Sequence, residues 1–320
     1  MRPWREPMPL QDLMLPEIFQ GKNATPPYFE GWYFRLQNGM SSISLIPGIC
    51  LEPRPHAYIQ YLNAERKHSA YWEYPIGDFH FDPNHFEIFI GKNIFSAEYI
   101  HLDTSLLFGE VFFRERVPFS SHRLNTGMMG PFAFLPFMQC NHGVVTIHSK
   151  LNGSLTDESG TADFTGGIGY IEKDWGKAFP QPYLWTQAHF ADSTFMLCLA
   201  RVPTPVGSIT GILSFLYTKG QRYLFATYTG ARLSSICRTE DGALHLDICT
   251  PHHRLFVRLR ARGGLSLRAP GTHGMDRAIY EDPNAAITVR LATLCGRTIC
   301  QGHSTHAGAE VVGDILSLKQ

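Results

Sequence analysis

The 320-residue chain sets 28 lysines and arginines against 28 aspartates and glutamates, so its formal net charge is zero, and no basic field exists to recruit nucleic acid or an anionic membrane surface. Charged residues make up only 18% and aromatic residues 12%, a balance suited to much internal apolar surface, including a lined cavity. The cysteines (Cys50, Cys140, Cys198, Cys237, Cys249, Cys295 and Cys300) are scattered without the paired spacings of a zinc site, which suits a reducing compartment, and no apolar run approaches the roughly 20 residues that a spanning helix needs.

Residues 1 to 20 contain Arg2, Arg5 and several prolines but lack the continuous apolar core of a secretory signal and the serine-rich character of a transit peptide. A cytoplasmic protein is expected, touching membranes at most peripherally. From Trp32 onward, short runs of β-branched and aromatic residues alternate with Gly, Pro, Asn and Asp, the pattern of many antiparallel strands. In the first half the expected strands are Trp32–Gln37, Ser42–Ile46, Ala57–Leu62, His85–Ile90, Ile94–Ile100, Leu106–Phe113 and Val144–Leu151. Hairpin chemistry separates several of them, as at Gln37-Asn38-Gly39 and Leu151-Asn152-Gly153.

The run from Met128 to Gly143 stands apart. Its prolines forbid a central strand, and its density of methionine and aromatic side chains suggests a pocket lid, a plug or plain inter-domain packing. The second half repeats the strand pattern, with expected strands at Tyr183–Phe190, Thr194–Val202, Ser208–Thr218, Tyr223–Tyr228, Ala243–Cys249, Leu255–Arg260, Ala286–Ala292 and Val311–Leu316. A polar stretch at residues 152–161 places the division near 160, giving units 1–160 and 161–320. Each unit then holds about eight strands, enough for an antiparallel barrel with room for one small ligand.

The densest chemistry lies in Glu172-Lys173-Asp174-Trp175. In an extended segment Glu172 and Asp174 share a side while Lys173 points the other way. Paired acids raise each other's pKa, and apolar walls raise it further, which keeps a carboxyl protonated near neutrality; salt bridging or turn capping is the structural alternative. Phe29-Glu30-Gly31-Trp32-Tyr33 repeats the acid–tryptophan theme in the first half, hinting at duplication and at a site on the seam between the halves. Glu30 sits among aromatics, where burial demands a proton or a partner such as Lys173 or Arg35; Trp32 alternatively plugs a barrel end. His142 beside Asn141, and His189 beside Gln187, fall in aromatic segments and suit polar pocket groups. His303 and His306 lack the further ligand of a metal set. There is no nucleophile elbow, no phosphate-binding loop and no dinucleotide fingerprint.

Tyr28 to Phe34, Met129-Gly130-Pro131-Phe132 through Gly143, Gly169 to Phe179 and Ala307-Gly308-Ala309-Glu310 together resemble the tocopherol cyclase family, and within it the bacterial members. The resemblance implies two lipocalin-like β-barrels side by side, an all-β fold with few helices related to carotenoid hydratase. It also implies, as in the plant enzymes, closure of a prenylated hydroquinone to a chromanol. Such closure needs a proton for the alkene, a cation shielded from water and capture by the phenol oxygen. On these grounds Asp174 is expected as the acid, with Glu172 or Glu30 tuning it or taking the phenol proton and His189 as another base. Trp32, Tyr33, Trp175, Trp185, Gln187, His189, Phe137, Asn141 and His142 are expected to line the substrate site. No metal, cofactor or nucleic acid is expected, and the partner is a hydrophobic isoprenoid or prenylquinone. A non-catalytic lipid carrier and an alkene hydratase are the competing readings.

Overall fold

A computed structural model describes residues 15–119, 126–271 and 273–319; the sequence reading that rests on Arg2 and Arg5 lies outside them. The alternating segments form strands as expected, but more of them. The first sheet comprises β1 (Phe29–Asn38), β2 (Ser41–Cys50), β3 (His56–Asn63), β4 (His68–Pro75), β5 (Phe79–Phe81) and β6 (Glu87–Ile90). It continues with β7 (Asn93–Ser96), β8 (Tyr99–Asp103), β9 (Leu107–Pro118), β10 (Cys140–Asp157), β11 (Gly160–Asp163) and β12 (Ile168–Gly176). The second sheet holds β13 (Tyr183–Phe190), β14 (Ser193–Thr204), β15 (Gly207–Thr218), β16 (Gln221–Ala226) and β17 (Arg232–Arg238). Its later strands are β18 (Leu244–Cys249), β19 (His253–Arg260), β20 (Leu265–Gly271), β21 (Gly274–Thr293) and β22 (Thr298–Val312). Among the described residues the helices are short 3-10 turns, and none is long and apolar enough to cross a membrane.

Both sheets follow one plan. The first runs β4-β3-β2-β1-β12-β10-β9-β8-β7-β6-β5 and the second β16-β15-β14-β13-β22-β21-β19-β18-β17. In each, the first strand pairs with the last, and the two edges are consecutive in the chain, β4 with β5 and β16 with β17. Each sheet therefore curls so that its edges approach, giving two lipocalin-like barrels side by side.

The chain changes sheets between Gly176 and Tyr183. Glu172 and Asp174, expected at the opening of the second unit, are thus on a strand of the first sheet, paired to β1 with Tyr33 opposite Glu172 and Gly31 opposite Asp174. The expected strand Val311–Leu316 is instead the end of β22 followed by a 3-10 turn, Ile315–Leu318.

Side-chain alternation sorts each strand between two cores. On β1, Trp32, Phe34 and Leu36 fill the first barrel with Leu45, Ile59 and Phe95. On β13, Leu184 and Ala188 fill the second with Leu197, Ile248 and Val289. Side chains fill much of both interiors, and a small cavity at one end of the second is bordered by Leu244, Leu259 and Ala309. The opposite faces, Tyr33 and Tyr170 from one barrel and Tyr183 and Trp185 from the other, meet in a separate core between them.

Candidate functional site

The cavity lies at that seam. Its space open to the centre of a water molecule is about 170 Å³, and it is walled by Tyr33, Ile46, Tyr58 and Gln60 from the first barrel and Trp185, Ala200, Leu213 and Ile279 from the second. The 3-10 segment Gly127–Phe134 and the residues after it close one side with Met129, Phe132, Leu135, Phe137 and Met138. Gly130 has φ of 52°, and a Cβ there would stand 2.6 Å from the ring of Tyr228, whose hydroxyl donates to the Met128 carbonyl at 2.9 Å. The methionine- and aromatic-rich run therefore walls one side of the cavity and is tied to the second barrel through Tyr228.

Into this apolar space project His142, Glu172 and Asp174 from the first barrel and Tyr183 and Glu310 from the second, with the thiols Cys140 and Cys198. His142 Nδ1 lies 3.0 Å from Asp174 Oδ1, and its Nε2 lies 3.7 Å from Glu172 Oε2. The Tyr170 hydroxyl donates to Glu172 Oε2 at 2.6 Å, and the Tyr183 hydroxyl donates to Glu310 Oε2 at 2.5 Å. Cys140 Sγ is 3.7 Å from Asp174 Oδ1.

Burial sets the protonation of this group. Loss of water pulls the His142 imidazole down, but the Asp174 and Glu172 carboxylates outweigh it and lift the ring to about 9. Burial pushes Glu172 up to about 7, against the opposing pull of His142. Glu310 is pushed up to about 8 by burial and by the charge of Glu281. Among the described residues no lysine, arginine or histidine forms an ion pair with Glu310. At neutral pH the cavity thus faces a protonated Glu310 with an imidazolium–carboxylate pair and a Glu172 close to its titration point. Burial also drives the Cys140 and Cys198 thiols up, which keeps both protonated.

His142, Glu172 and Asp174 place donor atoms within 4.8 Å of one another, the spacing of a cation site. The imidazole lies between the two carboxylates, hydrogen-bonded to Asp174 through Nδ1 and in ion-pair range of Glu172 through Nε2.

Of the residues singled out in sequence, Tyr33, Trp185, Phe137, His142, Glu172 and Asp174 line the cavity. The others do not. Glu30 shares its face of β1 with Trp32, where its Oε1 pairs with Lys173 Nζ at 2.6 Å, both side chains fully buried, and it accepts from the Gln20 amide at 2.9 Å and from the Tyr28 hydroxyl. Trp32 is core, stacked on Phe86 at 5.5 Å. Trp175 shares the Lys173 face of β12 and lies 4.7 Å from that ammonium, turned away from Glu172 and Asp174 by alternation. Asn141 is likewise offset by one position from His142. Gln187 and His189 are buried farther along β13, where His189 Nδ1 meets Thr194 Oγ1 at 3.0 Å. Burial and the neighbouring His148 hold His189 well below the usual histidine range, so it stays neutral.

Glu310, Tyr183 and Tyr170 were not singled out as site residues. Glu310 lies in the Ala307-Gly308-Ala309-Glu310 motif, and its register partner across the strands is Trp185, as Glu172 is the partner of Tyr33.

Residues 116–313 match the family described as tocopherol cyclase-like. No curated protein matches the chain in sequence. The crystal structure of CghA with Sch210972 aligns at a TM-score of 0.59 with 10% identity, over 90% of this chain and 89% of that one. A structure from Nitrosomonas europaea described as an AttH aligns at 0.50 with 12% identity, over 93% and 99% of the two chains. At such identities the likeness establishes the two-barrel fold.

Proposed function

Because the family match spans well over half of its length, the chain belongs to the tocopherol cyclase-like family, and from that premise we propose that it catalyses acid-driven ring closure of a prenylated hydroquinone or related phenolic isoprenoid. The observation that carries this reading is the pairing of two carboxyl groups with different environments across one apolar, aromatic cavity. Glu310, with no ion-pairing cation among the described residues, keeps its proton; Glu172, held by Tyr170 and His142, gives it up more readily. Environments that separate two carboxyls in this way assign acid and base.

In the proposed reaction Glu310 protonates the prenyl alkene, and the positive charge develops at the tertiary carbon. The phenol oxygen forms the new C–O bond, and its proton passes to the Glu172 carboxylate. One proton enters and one leaves, so the product is an isomer of the substrate, and proton transfer between the two acids restores the starting state. The ring faces of Trp185, Tyr33 and Tyr58 line the cavity and stabilise the cation by roughly 0.5–2 kcal/mol each. His142 and Asp174 form the ion pair that fixes the imidazolium against Glu172. Asp174, the acid expected from sequence, serves in this scheme as the orienting partner of His142. The lid keeps water from the cation, which decides between ring and tertiary alcohol.

Incubation with prenylated hydroquinones and with acyclic polyenes, followed by mass analysis, tests the reading. Cyclisation leaves the mass unchanged with a new retention time. A gain of one water marks a hydratase, and unaltered lipid co-purifying with the protein marks a carrier; either result overturns the cyclase reading.

A further inference from the structure

Two segments that wall the seam cavity continue past it into solvent. In the second barrel Val202 of β14 and Ile209 of β15 stand opposite each other on the cavity wall, and the hairpin runs on beyond them to its turn at Pro205-Val206. Val206 is 97% exposed and Ile209 37%. Ahead of β10, Phe132 and Leu135 face the cavity while Phe134 between them is 50% exposed, with Pro131 and Pro136 also at the surface. The two segments form one rim. Phe132 meets the Tyr228 ring edge-on at 5.6 Å, and the hydroxyl of the adjacent Thr227 accepts from the Ile212 amide of β15 at 2.8 Å, close along that strand to Ile209.

The rim is also uncharged. No Asp, Glu, Lys or Arg occurs from Thr126 to Gln139 or from Val202 to Thr218, in a chain where such residues make up 18%. A single exposed apolar side chain is ordinary. Several of them on an uncharged rim, continuous with an apolar cavity, mark an interaction surface. A protein partner is ordinarily met through a polar border around an apolar centre, and an anionic lipid surface through lysines and arginines; neither is present in these segments.

We propose that this rim dips into the apolar layer of a lipid bilayer, with Val206 and Phe134 inserted, so that a water-insoluble ligand passes between bilayer and cavity without crossing water. Docking of this kind draws on buried apolar area, so it needs no anionic lipid and is not screened by salt. It rests on the reading of the cavity as the site of a hydrophobic ligand and holds whether that ligand is closed to a ring or merely carried.

The test is flotation of the full chain with phosphatidylcholine vesicles. The protein is expected to float with them, to the same extent at about 0.05 M and about 0.5 M salt, and no more strongly when phosphatidylserine is added. Val206→Asp and Phe134→Asp place a charge on the rim at positions outside the cavity lining. Each is expected to weaken vesicle binding roughly 10-fold or more while leaving the unfolding midpoint unchanged, and Val206→Trp is expected to strengthen it. Absence of binding to phosphatidylcholine, or binding seen only with phosphatidylserine and lost in salt, overturns the proposal. So do dimers that Val206→Asp takes apart in a protein that ignores vesicles, since the rim then joins two copies of the chain. Flotation is read without turnover. Vesicle docking by a protein that forms no ring would sink the cyclase reading and leave the docking standing, and ring closure by a protein that ignores vesicles would do the reverse.

Discussion

Glu310 and Glu172 carry the same functional group and differ in what surrounds them. Glu310 has a tyrosine hydroxyl and other carboxylates near it, whereas Glu172 has an imidazolium. Activity in the proposed reaction needs the first protonated and the second ionised. kcat/KM is therefore expected to trace a bell, falling below about 7 as Glu172 takes up a proton and above about 8 as Glu310 loses one. A flat profile across that window speaks against the assignment. Glu310→Gln is expected to lower kcat by a factor on the order of 10²–10⁴, the worth of a positioned acid. The same substitution also probes stability. A carboxyl raised in the folded state holds a proton that the unfolded chain releases, so the natural protein loses stability as pH climbs from the ordinary carboxylate range to about 8. The Tm advantage of Glu310→Gln over the natural protein should grow across that interval and then level off; a pH-independent difference would show that Glu310 is not buried as an acid. Lys173→Met, by contrast, strands Glu30 in the first barrel and is expected to cost about 3–5 kcal/mol in denaturant unfolding.

On the scale of elements, alternation decided which sequence readings held. The reasoning that placed Glu172 and Asp174 on one face and Lys173 on the other is the arrangement found along β12, and it explains why Trp175 turns from the cavity with Lys173. What could not be read was which face of each strand meets the seam, since both are apolar: Trp32 and Tyr33 look alike in sequence, yet one is barrel core and the other cavity wall. Glu310 was overlooked because it sits among small residues and its aromatic partner Trp185 lies far away in the chain. Strands β4, β17 and β20 lie outside the expected set: in β17 the pair Ser234-Ser235 breaks the alternation, and in β20 a regular alternation from Leu265 to Ala269 is short and runs into Pro270. With the sheet change at residues 177–182, we place the division of the two units there instead of at 160. The lid offers its own test. Tyr228→Ala removes both the ring that packs on Gly130 and the hydroxyl that holds the Met128 carbonyl. Water is then expected to reach the cation, so products carrying one added water should appear beside the ring; an unchanged product ratio would show that the lid is not the barrier.

The molecule as a whole is fastened by a buried bridge. Arg35 of β1 and Glu281 of β21 have no exposed side-chain surface, and their closest approach is 3.5 Å. Arg35 Nη2 also donates to the carbonyls of Pro283 at 3.0 Å and His306 at 2.7 Å, so one side chain of the first barrel is held by two strands of the second. Tyr33 joins the same network through its hydroxyl, 2.7 Å from Glu281 Oε1. The rivet therefore ends at the cavity wall. Gly308 makes room for it, because a Cβ there would stand 2.6 Å from Arg35 Nη1 and 3.1 Å from Glu281 Oε1. Arg35→Met leaves a carboxylate buried without its cation and is expected to cost about 3–5 kcal/mol, measured by denaturant unfolding. A smaller loss, within the scatter of surface substitutions, would show that this bridge is not what fastens the barrels.

The shared strand plan gives the seam an approximate symmetry. β1 corresponds in order to β13 and β12 to β22, so Tyr33 facing Glu172 and Trp185 facing Glu310 occupy equivalent positions of the two sheets. Two acids in equivalent places would otherwise have equivalent surroundings; what sets them apart is the His142 imidazole, 3.7 Å from Glu172, with no ion-pairing counterpart at Glu310 among the described residues.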